Sequence, residues 1–94
     1  MEIINGTSQE AKVRVAGGGA GVDPDHDYLC EKQEDTSRWP LVPAGGTISH
    51  SPLPPGPWTV CFVVDGRQVV SEVKYADEKV TLAPGGSTFE VKVG

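Results

Sequence analysis

Trp58 to Tyr75 read WTVCFVVDGRQVVSEVKY, which is two runs rich in β-branched and aromatic residues around a central Asp65-Gly66 pair. An Asp-Gly pair between such runs favours a two-residue type I′ turn, because both central residues of that turn need positive φ. The stretch therefore predicts a β-hairpin.

A two-residue turn also sets the register of the hairpin. Counting outward from the turn, Val64 faces Arg67 and Trp58 faces Val73. Alternate side chains of a strand share a face, so one face is predicted to lie on the core and to carry Trp58, Val60, Phe62, Val69, Val73 and Tyr75. The opposite face, which includes Cys61, is predicted to be partly solvated.

Size and composition limit the architecture. The chain has 94 residues, enough for a single domain, predicted to span residues 1–94. Hydrophobic residues make up 37%, and the 12 Gly and 8 Pro favour short strands joined by turns over helices. A Gly-rich and acidic loop excursion is predicted at about residues 17–43.

Alternating hydrophobic runs separated by turn residues recur along the chain. They predict strands at residues 2–5, 10–16, 47–51, 79–83 and 87–93 in addition to the two of the hairpin, with Pro84-Gly85-Gly86 as a turn. Residues 28–32 and 39–42, where the signal is weakest, are candidates for one further short strand. Pro40 and Pro43 remove ladder donors, so the 39–42 run is either an edge strand or an irregular segment. This pattern predicts an all-β fold, an antiparallel β-sandwich of the immunoglobulin-like kind with seven or eight short strands.

Two short segments resemble known sandwich families. Val80 to Val93, VTLAPGGSTFEVKV, resembles the closing segment of bacterial immunoglobulin-like modules. Leu53 to Val60, LPPGPWTV, is similar to the entry of transthyretin-like sandwiches. The resemblance implies a β-sandwich architecture and carries over no activity and no functional residue.

An acidic segment is the sharpest candidate for a site. Its acidic side chains have the ligand spacing of an EF-hand calcium loop at Asp23, Asp25, Asp27, Glu31 and Glu34. The position of the bend glycine holds Tyr28, and a glycine tract precedes the segment where a helix should be. The interpretations are therefore a calcium loop on a β scaffold or a solvated acidic loop, with Ca²⁺ as the one candidate cofactor.

Histidines and cysteines provide two further hypotheses. His26 and His50, with Cys30, Cys61 or the aspartates, could form a zinc-type site, although no spacing demands one. A disulfide between Cys30 and Cys61 would tie the acidic segment to the outer face of the hairpin. Two reduced thiols are the alternative, since the chain shows no signal peptide and a cytoplasmic location is the default. A secreted or surface-exposed location is the alternative if the sequence is a mature fragment.

The charge distribution indicates which classes of partner the chain is expected to bind. Six of the 13 acidic residues lie between Asp23 and Asp35, and the Lys and Arg residues do not cluster. Nucleic-acid binding is not expected, because it needs a clustered basic surface. No stretch approaches the length of an apolar membrane span.

The function predicted from these features is non-catalytic binding. A sandwich presents loops or a sheet edge to a protein or carbohydrate partner, and Trp39 beside Arg38 is the candidate exposed anchor. The alternative is that Trp39 closes one end of the core. The alternatives are a calcium-binding module and, third, a small hydrolase, for which no nucleophile elbow or phosphate-binding loop is present. Homo-oligomerisation through a sheet edge is a further alternative.

Overall fold

A computed structural model describes residues 1–17, 39–51 and 56–94 of the chain. The described residues form strands and turns, and no helix occurs in these three ranges. The strands are β1 (Glu2–Asn5), β2 (Ala11–Gly17), β3 (Leu41–Val42), β4 (Thr47–Ser49), β5 (Trp58–Val64), β6 (Arg67–Val73), β7 (Lys79–Gly85) and β8 (Thr88–Val93). They form two four-stranded sheets, the first in the order β4-β1-β7-β8 and the second in the order β3-β2-β5-β6.

The β5–β6 hairpin has the predicted turn and register. Asp65 has a φ of 51° and Gly66 a φ of 70°, the two positive values that a type I′ turn requires. Val64 faces Arg67 and Trp58 faces Val73, as the count from the turn predicts. Tyr75 departs from the prediction: β6 ends at Val73, and the Tyr75 side chain is 64% exposed rather than part of the core.

The two sheets share one hydrophobic core between their inward faces. The first sheet contributes Ile3, Val80 and Leu82, and the second contributes a larger set from all four of its strands, namely Ala11, Val13, Val42, Val60, Phe62, Val64 and Val73. All of these are at most 1% exposed, and burying each Val, Ile, Leu or Phe side chain among them stabilises the fold by about 1.5–3 kcal/mol. The predicted all-β fold of short strands in two layers is confirmed.

The antiparallel description needs one correction, at β1. This strand pairs antiparallel with β4 but parallel with β7, where Glu2 faces Lys79 and Asn5 faces Leu82. The Gly6 N–H donates to the Leu82 carbonyl at 2.7 Å just beyond the ladder. The insertion of the first strand between β4 and β7 joins distant parts of the chain, and no local sequence pattern specifies such a pairing.

The β7–β8 hairpin turns later than predicted. Pro84 and Gly85 belong to β7, and the turn residues are Gly86, with a φ of 71°, and Ser87. Positive φ at the first central residue alone is the pattern of a type II′ turn. Proline is tolerated in this strand because its nitrogen faces the β1 side of β7 beyond the point where β1 ends.

Asn5 ties the end of β1 to the neighbouring sheet. Its side chain is fully buried, and its Nδ2 group donates to the carbonyls of Gln9 at 2.7 Å and Val42 at 3.0 Å. Its Oδ1 atom accepts from the Thr7 N–H at 3.0 Å and from the Thr7 hydroxyl at 2.7 Å. Asn5 therefore fixes both the β1–β2 turn and the position of β3, which is an edge strand, one of the two predicted alternatives.

Candidate functional site

Most residues predicted to bind metal fall outside the described part of the chain. These residues are Asp23, Asp25, Asp27, Glu31, Glu34, His26 and Cys30, and Arg38 lies outside it as well. Within residues 1–17, 39–51 and 56–94, no group of three or more His, Cys, Asp or Glu side chains could hold a metal ion. The calcium site stays a prediction.

The predicted exposure of Trp39 is wrong. Its side chain is only 9% exposed and packs with Cys61 on the outer face of the second sheet. Val63 and Val70 pack against the same pair. The cause is that the outward-facing side of the hairpin is apolar at these three positions, so the indole covers it and cannot serve as an exposed anchor.

Cys61 lies on this outer face, as predicted from the hairpin register. Its side chain is fully buried, and it is not a free thiol. Because Cys30 lies outside the described residues, the pairing of these two cysteines stays a prediction.

Two long strands, β6 and β8, lie at edges of the two sheets on the same side of the described part of the chain and contact each other across the sheets. The type I′ turn makes Val64 and Arg67 a hydrogen-bonded pair, and such pairs alternate along an antiparallel ladder. Val70 and Glu72 therefore direct their backbone N–H and C=O groups away from β5. Neither residue makes a further backbone hydrogen bond to the described residues.

The same reasoning shows which backbone groups of β8 point away from β7. The pair next to its turn is Gly85 with Thr88, and the Gly94 N–H donates to the Lys79 carbonyl at 3.0 Å at the other end. Thr88, Glu90 and Lys92 therefore point their backbone groups towards β7, while those of Phe89, Val91 and Val93 point outward. No backbone partner for these outward groups occurs among the described residues.

The side chains of β8 divide cleanly between its two faces. Phe89 and Val91 lie half-buried against the core, and Val93, on the same face, is 37% exposed. The other face carries Glu90 and Lys92, whose Oε1 and Nζ atoms are 3.6 Å apart. This edge therefore combines outward backbone groups, an apolar inner face and a charged outer face.

The edge strands on the opposite side of the two sheets are shorter. These strands, β3 and β4, have only 2 and 3 residues. Between the sheets there, a cavity of about 180 Å³ is lined mainly by apolar side chains, with Arg14 and His50 as its polar members. The apolar residues are Ile3, Val13, Val15, Pro40 and Ile48. The cavity is smaller than the roughly 300–1,000 Å³ of most small-molecule sites. The β6 and β8 edges are therefore the better candidate binding surface.

Sequence reasoning indicates an open edge in general but does not identify β8 as the strand that provides one. The alternation of Phe89, Glu90, Val91, Lys92 and Val93 correctly indicates a strand with two different faces. Its place at the edge depends on the strand order of the sheet, which the alternation does not encode.

Comparison with protein-family models, with curated proteins and with solved structures finds no match for this chain. In the described part of the chain, no helix is sufficiently long and apolar to cross a membrane.

Proposed function

We propose that this chain is a non-catalytic interaction module that binds an extended segment of a partner protein by strand addition on the side formed by β6 and β8. The observation that carries the proposal is the row of outward backbone groups on Phe89, Val91 and Val93, together with those on Val70 and Glu72. An added strand gains affinity from main-chain hydrogen bonds and specificity from alternate side chains.

A protein partner fits this surface better than a carbohydrate does. Of the aromatic side chains in the described residues, only Tyr75 is largely exposed, whereas Trp39, Trp58 and Phe62 are buried and Phe89 is half-buried. A sugar-binding face would need exposed rings for stacking, while strand addition needs outward backbone groups.

We further propose that the architecture is immunoglobulin-like and that Cys30 and Cys61 form a disulfide. Eight strands in two sheets support the first part, and the absence of a free thiol at Cys61 supports the second. A disulfide is typical of proteins from oxidising compartments, so this part of the proposal also places the chain there.

Proline substitutions at outward-facing backbone positions test strand addition. Val70→Pro and Val91→Pro each remove an N–H that points away from the neighbouring strand, so the sheet keeps its hydrogen bonds while the edge is blocked. The probe is a display library of random 12-residue peptides selected on the immobilised wild-type chain. We expect the selected peptides to bind at least one of these two variants about 10-fold or more weakly.

The matched control is Thr47→Pro, which blocks an outward N–H on the short β4 edge in the same way. The proposal is supported if Thr47→Pro leaves peptide binding unchanged and Val70→Pro or Val91→Pro weakens it. Peptides that bind the wild type and both blocked variants equally well, or that lose binding only with Thr47→Pro, contradict it. Thermal melting verifies that each variant is folded.

A further inference from the structure

We infer that the partner strand of the β8 edge is β8 of a second copy of this chain, paired antiparallel about Val91. The inference rests on the proposed function, since it uses strand addition at one of the same two edges. It goes further in naming the partner and the register.

Backbone geometry restricts the registers in which two β8 strands can pair. The outward N–H and C=O groups belong to Phe89, Val91 and Val93, so these residues must face one another in the hydrogen-bonded positions of the new ladder. In the register centred on Val91, that residue faces its own copy, and Phe89 faces Val93 of the second copy. Every outward backbone group then has a partner.

The charged side chains select this register over its neighbours. With Val91 at the centre, Glu90 faces Lys92 of the second copy and Lys92 faces Glu90, so two pairs of opposite charge lie across the junction. A shift by two residues in one direction places Glu90 opposite its own copy, and the reverse shift places Lys92 opposite its own copy. Like charges directly opposite one another destabilise a sheet, whereas opposite charges stabilise it by about 0.2–1 kcal/mol per pair.

Both charged side chains are available for this pairing. The side chain of Lys92 is 70% exposed and that of Glu90 is 52% exposed, and their mutual contact at 3.6 Å is a surface ion pair of small energy. Glu90 is also positioned by its own hairpin, because its side chain lies across Gly85. A Cβ atom at Gly85 would come within 3.2 Å of the Glu90 Cγ atom.

The same register also brings the apolar side chains of the two β8 strands together. Phe89, Val91 and Val93 of the two copies would form one continuous row on the core side of an eight-stranded sheet. Val93, which is 37% exposed in the single copy, would pack beside Phe89 of the second copy. Apolar residues at the exposed edge of a sheet are then part of an interface rather than a solvent-facing surface.

Two single charge reversals and their mixture test the inference by sedimentation velocity of the full chain over a concentration series. Glu90→Lys places Lys opposite Lys, and Lys92→Glu places Glu opposite Glu, so each variant alone should dimerise about 10-fold or more weakly than the wild type. An equimolar mixture restores both pairs of opposite charge, and we expect a heterodimer close to wild type in affinity.

The outcomes separate this inference from the proposed function. A wild type that stays monomeric at millimolar concentration, or single variants that dimerise like the wild type, overturns the β8 pairing. Peptide binding that remains sensitive to Val91→Pro or Val70→Pro would in that case still support strand addition. A mixture that fails to recover the dimer while both variants melt like the wild type also overturns the register centred on Val91.

Discussion

The Asn5 side chain is buried and hydrogen-bonded to three backbone groups and one hydroxyl. We therefore expect even a small chemical change at this residue to lower the stability of the fold. Asn5→Asp keeps the shape but replaces the Nδ2 donor with an oxygen that faces the Gln9 and Val42 carbonyls. The loss of two donated bonds and the repulsion between oxygens should lower the free energy of unfolding at pH 7 by about 2–4 kcal/mol. Urea denaturation measures the change.

This effect should depend on pH in a definite direction. Burial and the facing carbonyls raise the pKa of the introduced carboxyl in the folded state above its unfolded value. Stability relative to the wild type should therefore be highest at acidic pH and fall as the pH rises from about 4 through the raised pKa. Ser8→Asp, at an exposed position in the same turn, is the control and should change stability by less than about 0.5 kcal/mol. Equal effects at the two positions would contradict the role of Asn5.

Neither the role of Asn5 nor the burial of Trp39 follows from the sequence, and the physical reason is the same for both. Asn5 donates to Val42, which is 37 residues away along the chain, and Trp39 packs on Cys61 in another strand. In sequence, Asn5 is a polar residue before a turn and Trp39 is an aromatic residue in an irregular segment. Only the partners brought to them by the fold decide that both are buried.

At the scale of single elements, a substitution at Gly66 tests the type I′ conformation of the β5–β6 turn. Gly66 has a φ of 70° and an added Cβ would meet no atom within 4 Å, so Gly66→Ala introduces backbone strain without a steric clash. We expect a loss of about 1–2 kcal/mol in the free energy of unfolding, measured from the urea midpoint. Gly66→Asn is the matched control, because asparagine tolerates the left-handed region, and should recover most of that loss. A Gly66→Ala variant as stable as the wild type would argue against the type I′ turn.

The elements that are predicted correctly are those specified by neighbouring residues. The β5–β6 register follows from two turn residues, and the alternation of β2 and β8 follows from the residues within each strand. The β7–β8 turn is predicted too early because Pro84 and Gly85 resemble turn residues in isolation. They lie in a strand because β1 ends before it reaches Pro84, and that is a property of the sheet.

At the scale of the whole molecule, the proposed Cys30–Cys61 disulfide should contribute strongly to stability. It would close a loop of about 30 residues, for which the loss of unfolded-state entropy corresponds to about 2–4 kcal/mol. Cys30→Ala, Cys61→Ala and the double variant should therefore melt at similar, lowered temperatures. Reductant should lower the melting temperature of the wild type and leave that of the double variant unchanged. Additive losses in the double variant, or no response of the wild type to reductant, would contradict the bridge.

The parallel pairing of β1 with β7 has a consequence for how the chain reaches its folded state. β1 occupies an interior position of its sheet, yet one of its two neighbours begins only at Lys79. During synthesis, the apolar Ile3 and Ile4 must therefore wait, without their final neighbour, until β7 has left the ribosome. Such long-range closure favours folding in milliseconds to seconds rather than microseconds, so this sheet should be completed later than the local β5–β6 hairpin.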